Sequence, residues 1–275
     1  MQYSSYNQVM KITFLGTGSS TPTAKMENLP QRSYSSFVIE SGESSFLFDC
    51  GPGTMSKMTQ NGMDILKSPT HLFITHFHLD HCLDYIALTK ARALDKKYGG
   101  KGLKIEVFGP EGLKDFTKDL FEGVKKWDYM SKELNGYEIL NLHEVEDSEI
   151  LDSGSAKVTC SPIDHYDGVV YKVELEGKSI VYSGDMGYDQ SFAKIGRDAD
   201  IAIMECSYPD NSALKGKHLS PDEIIRIANL GNFKQIILTH LYPACEGRED
   251  EIIEKIESLT NVKVRIAHDF FTLSL

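Results

Sequence analysis

No apolar run in this 275-residue chain approaches the roughly 18 residues that a membrane-crossing helix needs, so none reads as a transmembrane span. The N-terminus, Met1-Gln-Tyr-Ser-Ser-Tyr-Asn-Gln8, has neither a basic start nor an apolar stretch, and a secretory signal is not supported. Positive charge is in short supply. With 29 Lys and Arg against 40 Asp and Glu, the net charge of −11 argues against broad, sequence-independent binding to phosphate backbones. Cysteine is sparse, scattered and odd in number: Cys50, Cys82, Cys160, Cys206 and Cys245 suit reduced thiols in a cytoplasm better than a disulfide framework. A low-complexity linker is also missing. The chain therefore reads as a single domain over residues 10–275, with 1–9 as an extension or Met10 as an internal start.

Short runs rich in Ile, Val, Phe, Tyr and Leu alternate with helical patterns throughout, which predicts an α/β fold. Strands are expected at 10–16, 34–40, 44–49, 71–75, 103–108, 137–142, 155–162, 169–176, 178–183, 200–204, 235–239, 262–266 and 270–274. Helices are expected at 54–61, 83–97, 110–122, 189–196, 220–230 and 248–258. The fifth opens on Ser220-Pro-Asp-Glu223, a cap candidate followed by proline and acids in the first turn. A faint duplication is visible. Phe46-Leu-Phe-Asp49 and Val181-Tyr-Ser-Gly-Asp185 both end a strand in an acid; Phe73-Ile-Thr-His76 and Ile237-Leu-Thr-His240 both end one in Thr-His. Two matching halves suggest two similar layers facing each other, with chemistry at the carboxyl ends of strands.

The most concentrated signal is Thr75-His-Phe-His-Leu-Asp-His81, with three imidazoles and a carboxylate in six residues. These are the nitrogen and oxygen donors that zinc favours. In extended backbone His76, His78 and Asp80 would share a face and His81 would reach elsewhere, which hints at two neighbouring metal positions. His165, Asp185 and His240 add donors from other strand ends. A pair of divalent ions about 3.5–4 Å apart needs about this many, with Asp185 the natural bridge because a carboxylate has two oxygens. A lone His165 or His240 would ordinarily be a hydrogen-bonded structural residue; the parallel strand endings raise both above that. Asp49 either orients a ligand histidine through its second ring nitrogen or caps the turn at Gly51-Pro-Gly53. His218, in a loop before a helix, suits a general acid or base, and Glu205 either holds its ring or is a strand-end carboxylate in water. His71, His143 and His268 lie outside the pattern. Residues 90–104 set Lys90, Arg92, Lys96, Lys97, Lys101 and Lys104 against Asp95 alone. This stretch is a solvated helix face or, given its place after the histidines, a phosphate-facing one.

From Lys11 onward the chain resembles the metallo-β-lactamase fold hydrolases, and within them the ribonuclease Z-like branch. The resemblance rests on Phe14-Leu-Gly-Thr-Gly18, Phe48-Asp-Cys-Gly51, His76-Phe-His-Leu-Asp-His81, Phe108-Gly-Pro-Glu-Gly112, His165, Ser183-Gly-Asp185, the Glu205 segment, Lys217-His-Leu-Ser220, Thr239-His240 and Ala267-His-Asp-Phe270. It implies an αββα four-layer sandwich with two Zn2+ ions at one edge, Mn2+ or Fe2+ being alternatives. It also implies a set of ligands: His76, His78 and His165 for one ion, Asp80, His81 and His240 for the other, and Asp185 between them. By the same resemblance a metal-bridging hydroxide attacks the substrate, Asp80 helps to orient it, and His218, supported by Glu205, protonates the leaving oxygen or stabilises the transition state. A homodimer is a further implication.

Three departures bear on the substrate. The branch's tRNA 3′-processing enzymes of bacterial type carry a long arm between the positions of His165 and Asp185, where this chain has only residues 166–184. They usually have glycine where Leu79 stands, and Gly-Glu-Gly-Thr where this chain has Gly51-Pro-Gly-Thr54. The leading expectation is therefore a dinuclear zinc phosphodiesterase acting on a phosphodiester smaller than tRNA. A tRNA 3′ endonuclease without the usual arm is the alternative for an RNA substrate. Hydrolysis of a thioester or lactone is the alternative within the fold.

Overall fold

The computed structural model describes residues 10–23, 31–146, 150–152, 156–210 and 216–275; the extension expected over 1–9 lies outside the described residues. The first half runs β1 (Lys11–Gly16), β2 (Ser36–Ser41), β3 (Ser44–Phe48), α1 (Thr54–Gln60), β4 (His71–Phe73), α2 (Leu79–Cys82), α3 (Asp84–Lys97), β5 (Ile105–Gly109), α4 (Leu113–Lys118), α5 (Tyr129–Lys132) and β6 (Leu140–Glu144). The second runs β7 (Ile150–Asp152), β8 (Ala156–Pro162), β9 (Val169–Leu175), β10 (Lys178–Tyr182), α6 (Gln190–Ile195), β11 (Ile201–Glu205), α7 (Pro221–Gly231), β12 (Gln235–Thr239), α8 (Glu249–Leu259), β13 (Lys263–Ile266) and β14 (Thr272–Ser274).

Two seven-stranded sheets result, in the orders β14-β1-β2-β3-β4-β5-β6 and β13-β12-β11-β10-β9-β8-β7. Alternation along each strand decides which way its apolar side chains face. Phe14, Phe37, Phe46, Phe48 and Phe73 of the first sheet share a buried cluster with Val158, Tyr171, Val173, Ile180, Tyr182, Ile201, Ile203 and Ile237 of the second. Their neighbours point outward: Leu15, Val38, Leu47 and Leu72 pack beneath α1, α3 and α4 with Met58, Tyr85, Leu88 and Leu113. On the other side Val181, Ala202, Met204, Ile236 and Leu238 pack under α6, α7 and α8 with Phe192, Ile224, Ile227 and Ile252. The expected αββα sandwich is thus built by strand periodicity alone, each sheet being buried on both faces.

Phe37, Phe48, Phe73 and Phe108 stack in series across β2–β5, with centroids 4.8, 4.9 and 5.0 Å apart. Such cross-strand ring contacts hold neighbouring strands in register, which keeps the strand ends level. The halves follow one plan. An antiparallel meander (β1-β2-β3; β8-β9-β10) is followed by strands added in parallel (β4, β5, β6; β11, β12, β13). Asp49 and Asp185 follow equivalent strands in this plan, β3 and β10. The Thr-His endings do not: His76 follows β4, whereas His240 follows β12, the counterpart of β5.

Local chemistry explains the departures from the expected elements. The strand expected at 137–142 begins only at Leu140, because Asn135 (φ 50°) and Gly136 start a 3-10 turn over Gly136–Ile139. The helix expected at 110–122 shrinks to α4 and one wide turn at Asp119–Gly123, since Gly112 adopts φ 91° just before it. β7 carries too little pattern to be seen in the sequence.

Candidate metal centre

Parallel strands deliver their carboxyl ends to one edge, and most of the candidate residues lie there. Asp49 follows β3, His76 follows β4, Asp185 follows β10, Glu205 ends β11 and His240 follows β12; His165 follows the antiparallel β8. Two glycines allow the loops to close on one another. A Cβ on Gly51 would lie 1.9 Å from the carbonyl oxygen of Asp80, and one on Gly184 would lie 2.7 Å from the Thr75 Cβ. Asp49 and His240 are held in left-handed backbone (φ 57° and 56°), a conformation that costs non-glycine residues about 1–2 kcal/mol and persists where surrounding contacts impose it.

The His76–His81 segment is not extended throughout. The chain is still extended at His78 (φ −62°, ψ 144°) and turns at Leu79 into α2, with the His81 N–H donating to the His78 carbonyl at 3.0 Å. Asp80 therefore leaves the face shared by His76 and His78 and goes with His81. Ligand atoms of His76, His78, His165 and Asp185 lie within 4.8 Å of one another, as do those of Asp80, His81, Asp185 and His240. Asp185 belongs to both sets: its Oδ1 is 3.3 Å from His81 Nε2 and 3.2 Å from His240 Nε2, and its Oδ2 is 3.9 Å from His76 Nε2. Asp80 Oδ2 stands 3.6 Å from His81 Nε2 and 3.5 Å from His240 Nε2.

The hydrogen-bonding state of these atoms tests whether cations fit. His76 Nε2, His81 Nε2, both ring nitrogens of His165 and Asp185 Oδ1 are buried without a hydrogen-bond partner. Each such atom costs about 1–3 kcal/mol unless something satisfies it. Orphaned lone pairs converging in two sets around a shared carboxylate are what two divalent cations would use.

The Nδ1 atoms of His76, His81 and His240, by contrast, are tied down. Asp49 is fully buried, and its carboxylate accepts from His81 Nδ1 (2.8 Å), the Thr75 N–H (2.8 Å), Thr75 Oγ1 (3.0 Å) and the Tyr182 hydroxyl (2.8 Å). Thr75 Oγ1 also lies 3.0 Å from His76 Nδ1. On the other side, fully buried Glu205 accepts from the Met186 N–H (2.7 Å), Ser207 Oγ (2.5 Å) and His218 Nδ1 (3.0 Å). Ser207 Oγ in turn lies 3.1 Å from His240 Nδ1. Glu205, His218 and His240 also form a compact group, but the Glu205 oxygens are already engaged. A capping box fixes the start of α7: Ser220 N–H donates to Glu223 Oε2 at 2.9 Å, with Pro221 at the first turn, and buried Leu219 anchors the loop that presents His218. Thr75, Tyr182 and Ser207 carried no signal in the sequence beyond their place beside a candidate residue.

Burial opposes ionisation of Asp185, yet His240 and His81 outweigh it and hold the carboxyl well below the usual range. Burial, with His81 nearby, drives the His76 ring well below its ordinary value. For His218 burial again disfavours the charged ring, but Glu205 and then Asp185 prevail and raise it to about 9.

The remaining histidines lie elsewhere. His71 stacks on Phe46 at 4.9 Å, His143 pairs with Glu106 at 2.8 Å, and His268 lies against the Asp269 carbonyl. The basic stretch starts midway along α3, with Lys90 about 9 Å and Lys97 about 20 Å along the axis from the helix start that follows the turn carrying Asp80 and His81. Arg92 within it is buried and binds the carbonyls of Ile65, Pro69, Leu103 and Lys104.

Residues 10–255 match the family described as "Anti-Pycsar protein Apyc1". Ribonuclease Z of Methanothermobacter thermautotrophicus is 24% identical, with 97% of each chain covered. Among solved structures, the metallo-β-lactamase fold protein YhfI from Bacillus subtilis superposes with a TM-score of 0.79 at 21% identity, covering 97% of this chain and 100% of that one. Human tRNase Z, short form, gives 0.70 at 24% identity, covering 96% and 98%. The fold is the metallo-β-lactamase fold.

Proposed function

The chain belongs to the Anti-Pycsar protein Apyc1 family, and on that premise we propose that this metal-dependent hydrolase is a phosphodiesterase using two zinc ions on a phosphodiester smaller than tRNA. The observation that carries the reading is the orphaned set of buried donors around Asp185. His76, His78 and His165 would hold one cation, Asp80, His81 and His240 the other, with Asp185 shared. Such a pair supplies Lewis acidity, making water acidic near neutral pH and offsetting charge on phosphoryl oxygens. Asp49 and Ser207 orient ring nitrogens on the outer side, which fixes the tautomers that leave Nε2 free. His218, whose charged form Glu205 favours, donates a proton to the departing oxygen. Asp80 additionally orients the attacking water. Residues 10–275 act as one domain in this reading, supported by the cluster that both sheets share.

A small substrate is favoured by the hairpin between His165 and Asp185. Strands β9 and β10 are joined by Glu176 (φ 51°) and Gly177 (φ 73°) alone, a two-residue turn with no room for a recognition arm. The second reading, RNA cleavage at the 3′ side of a tRNA precursor, is favoured by the names of the relatives. Zinc-loaded protein should be assayed on bis(p-nitrophenyl) phosphate, cyclic phosphodiesters, precursor tRNA, and a thioester and a lactone. Turnover of the small diesters alone is expected. Efficient tRNA cleavage would reverse the ranking, and turnover of only the thioester or lactone would replace it.

A further inference from the structure

Two large apolar side chains stand exposed next in sequence to residues of the polar site. Leu79, between His78 and Asp80, is 67% exposed, and Tyr166, directly after His165, is 64% exposed. Scattered surface apolar residues need no explanation, but these two flank the residues assigned to the cations.

Tyr166 is also held there at a cost. Tyr166 (φ 46°) and Asp167 (φ 57°) are consecutive non-glycine residues in left-handed backbone. The turn is closed by the Gly168 N–H donating to the His165 carbonyl (2.8 Å), and it is pinned to the metal segment by the Val169 N–H donating to the Thr75 carbonyl (2.9 Å). That geometry sets the Tyr166 ring 4.6 Å from the His78 ring and 5.1 Å from the His165 ring. Lys217 Nζ lies 5.4 Å from the ring centroid, which ties this turn to the loop carrying His218. Strain of this kind at a site points to positioning rather than to packing, because a mostly exposed ring contributes little to a core.

We propose that Tyr166 is a specificity-determining residue: its ring, set against His78 and His165, receives an organic substituent of the phosphodiester and selects a planar apolar group over a small alkyl one. The inference rests on the phosphodiesterase reading, because it needs the phosphoryl group held at the cations. Tyr166 stands against His78 and His165, beside the position where a phosphoryl group held at the cations would carry its substituents. Planar groups gain by stacking on an exposed ring, and a methyl group gains almost nothing.

The test compares phenylphosphonate with methylphosphonate, two non-hydrolysable ligands with the same anionic head, titrated calorimetrically into zinc-loaded protein. Wild type should bind the phenyl compound about tenfold tighter, Tyr166→Ala should bring the two within about twofold, and Tyr166→Phe should keep the wild-type ratio. Because the ratio is taken within each variant, a general loss of metal or of folded protein cancels. A wild-type ratio near one, a ratio untouched by Tyr166→Ala, or a Tyr166→Phe variant that behaves like the alanine variant would each overturn the proposal. Turnover of bis(p-nitrophenyl) phosphate, followed on the same samples, tests the phosphodiesterase reading separately, since phosphonate binding does not depend on chemistry.

Discussion

Asp49 Oδ2 lies 2.8 Å from His81 Nδ1, so a fully buried carboxylate fixes which face of that imidazole is presented to the site. The same carboxylate holds Thr75, which touches the Nδ1 of His76. One acid thus orients a histidine from each candidate cation set. Removing it by Asp49→Ala leaves the Thr75 N–H and the Tyr182 hydroxyl without their acceptor. The expected loss in zinc affinity is about 10–100-fold, read by competition with a chromophoric chelator. Unchanged affinity would mean that the rings are oriented without Asp49.

The proton donor can be isolated by choice of leaving group. p-Nitrophenolate departs without protonation at neutral pH, whereas an alkoxide does not. His218→Ala should therefore lower kcat on an alkyl diester by about 10²–10⁴-fold and on bis(p-nitrophenyl) phosphate far less, with bound metal retained. Equal losses on both substrates would assign His218 to binding instead.

The same residue sets a pH dependence whose sign follows from its neighbours. Burial lowers the His218 value, Glu205 more than restores it, and the ring stands at about 9 against an ordinary 6.5. A raised value keeps the acid form below it, so activity on alkyl diesters should fall as pH rises. Cations near Asp185 would pull the limb below about 9. Glu205→Gln removes the main stabiliser of the charged ring, and the limb should move to lower pH in a kcat–pH profile. A limb that stays in place would detach Glu205 from His218.

All five cysteines are buried. Burial pushes Cys82 and Cys245 up to about 12, and Cys50 and Cys206 well above their ordinary value of 9.0. A thiol labelling reagent at pH 8 should leave the native protein largely unlabelled and react with all five after unfolding. Since the unfolded thiols ionise near 9.0 while the folded ones keep their protons, stability should decline above that pH, visible as a falling Tm. Rapid labelling of native protein would show that one of these sites is open.

Much of the site could be read from the sequence because its residues announce themselves locally. Histidines and acids at the ends of apolar runs can be found one strand at a time, and the Ser220 cap places His218 before a helix. The backbone change at Leu79 leaves no mark in the sequence, since alternation continues until a turn diverts it; alternation alone puts Asp80 on the face of His76 and His78. Arg92 reads as surface charge because nothing local shows that four carbonyls converge on its side chain. Tyr182 and Ser207 serve residues far away in the chain, and Tyr166 matters through a left-handed turn that its residue type disfavours. Such contacts depend on strand order, which periodicity does not contain.

The central claim is a pair of cations shared through Asp185, and counting them tests it most directly. Elemental analysis of exhaustively dialysed, zinc-reconstituted protein should give two equivalents per chain. His165→Ala and His240→Ala should each hold about one, and Asp185→Ala should fall toward none, with diesterase activity lost in parallel. A wild-type protein that holds no zinc, or one whose activity survives complete chelation, would contradict the account.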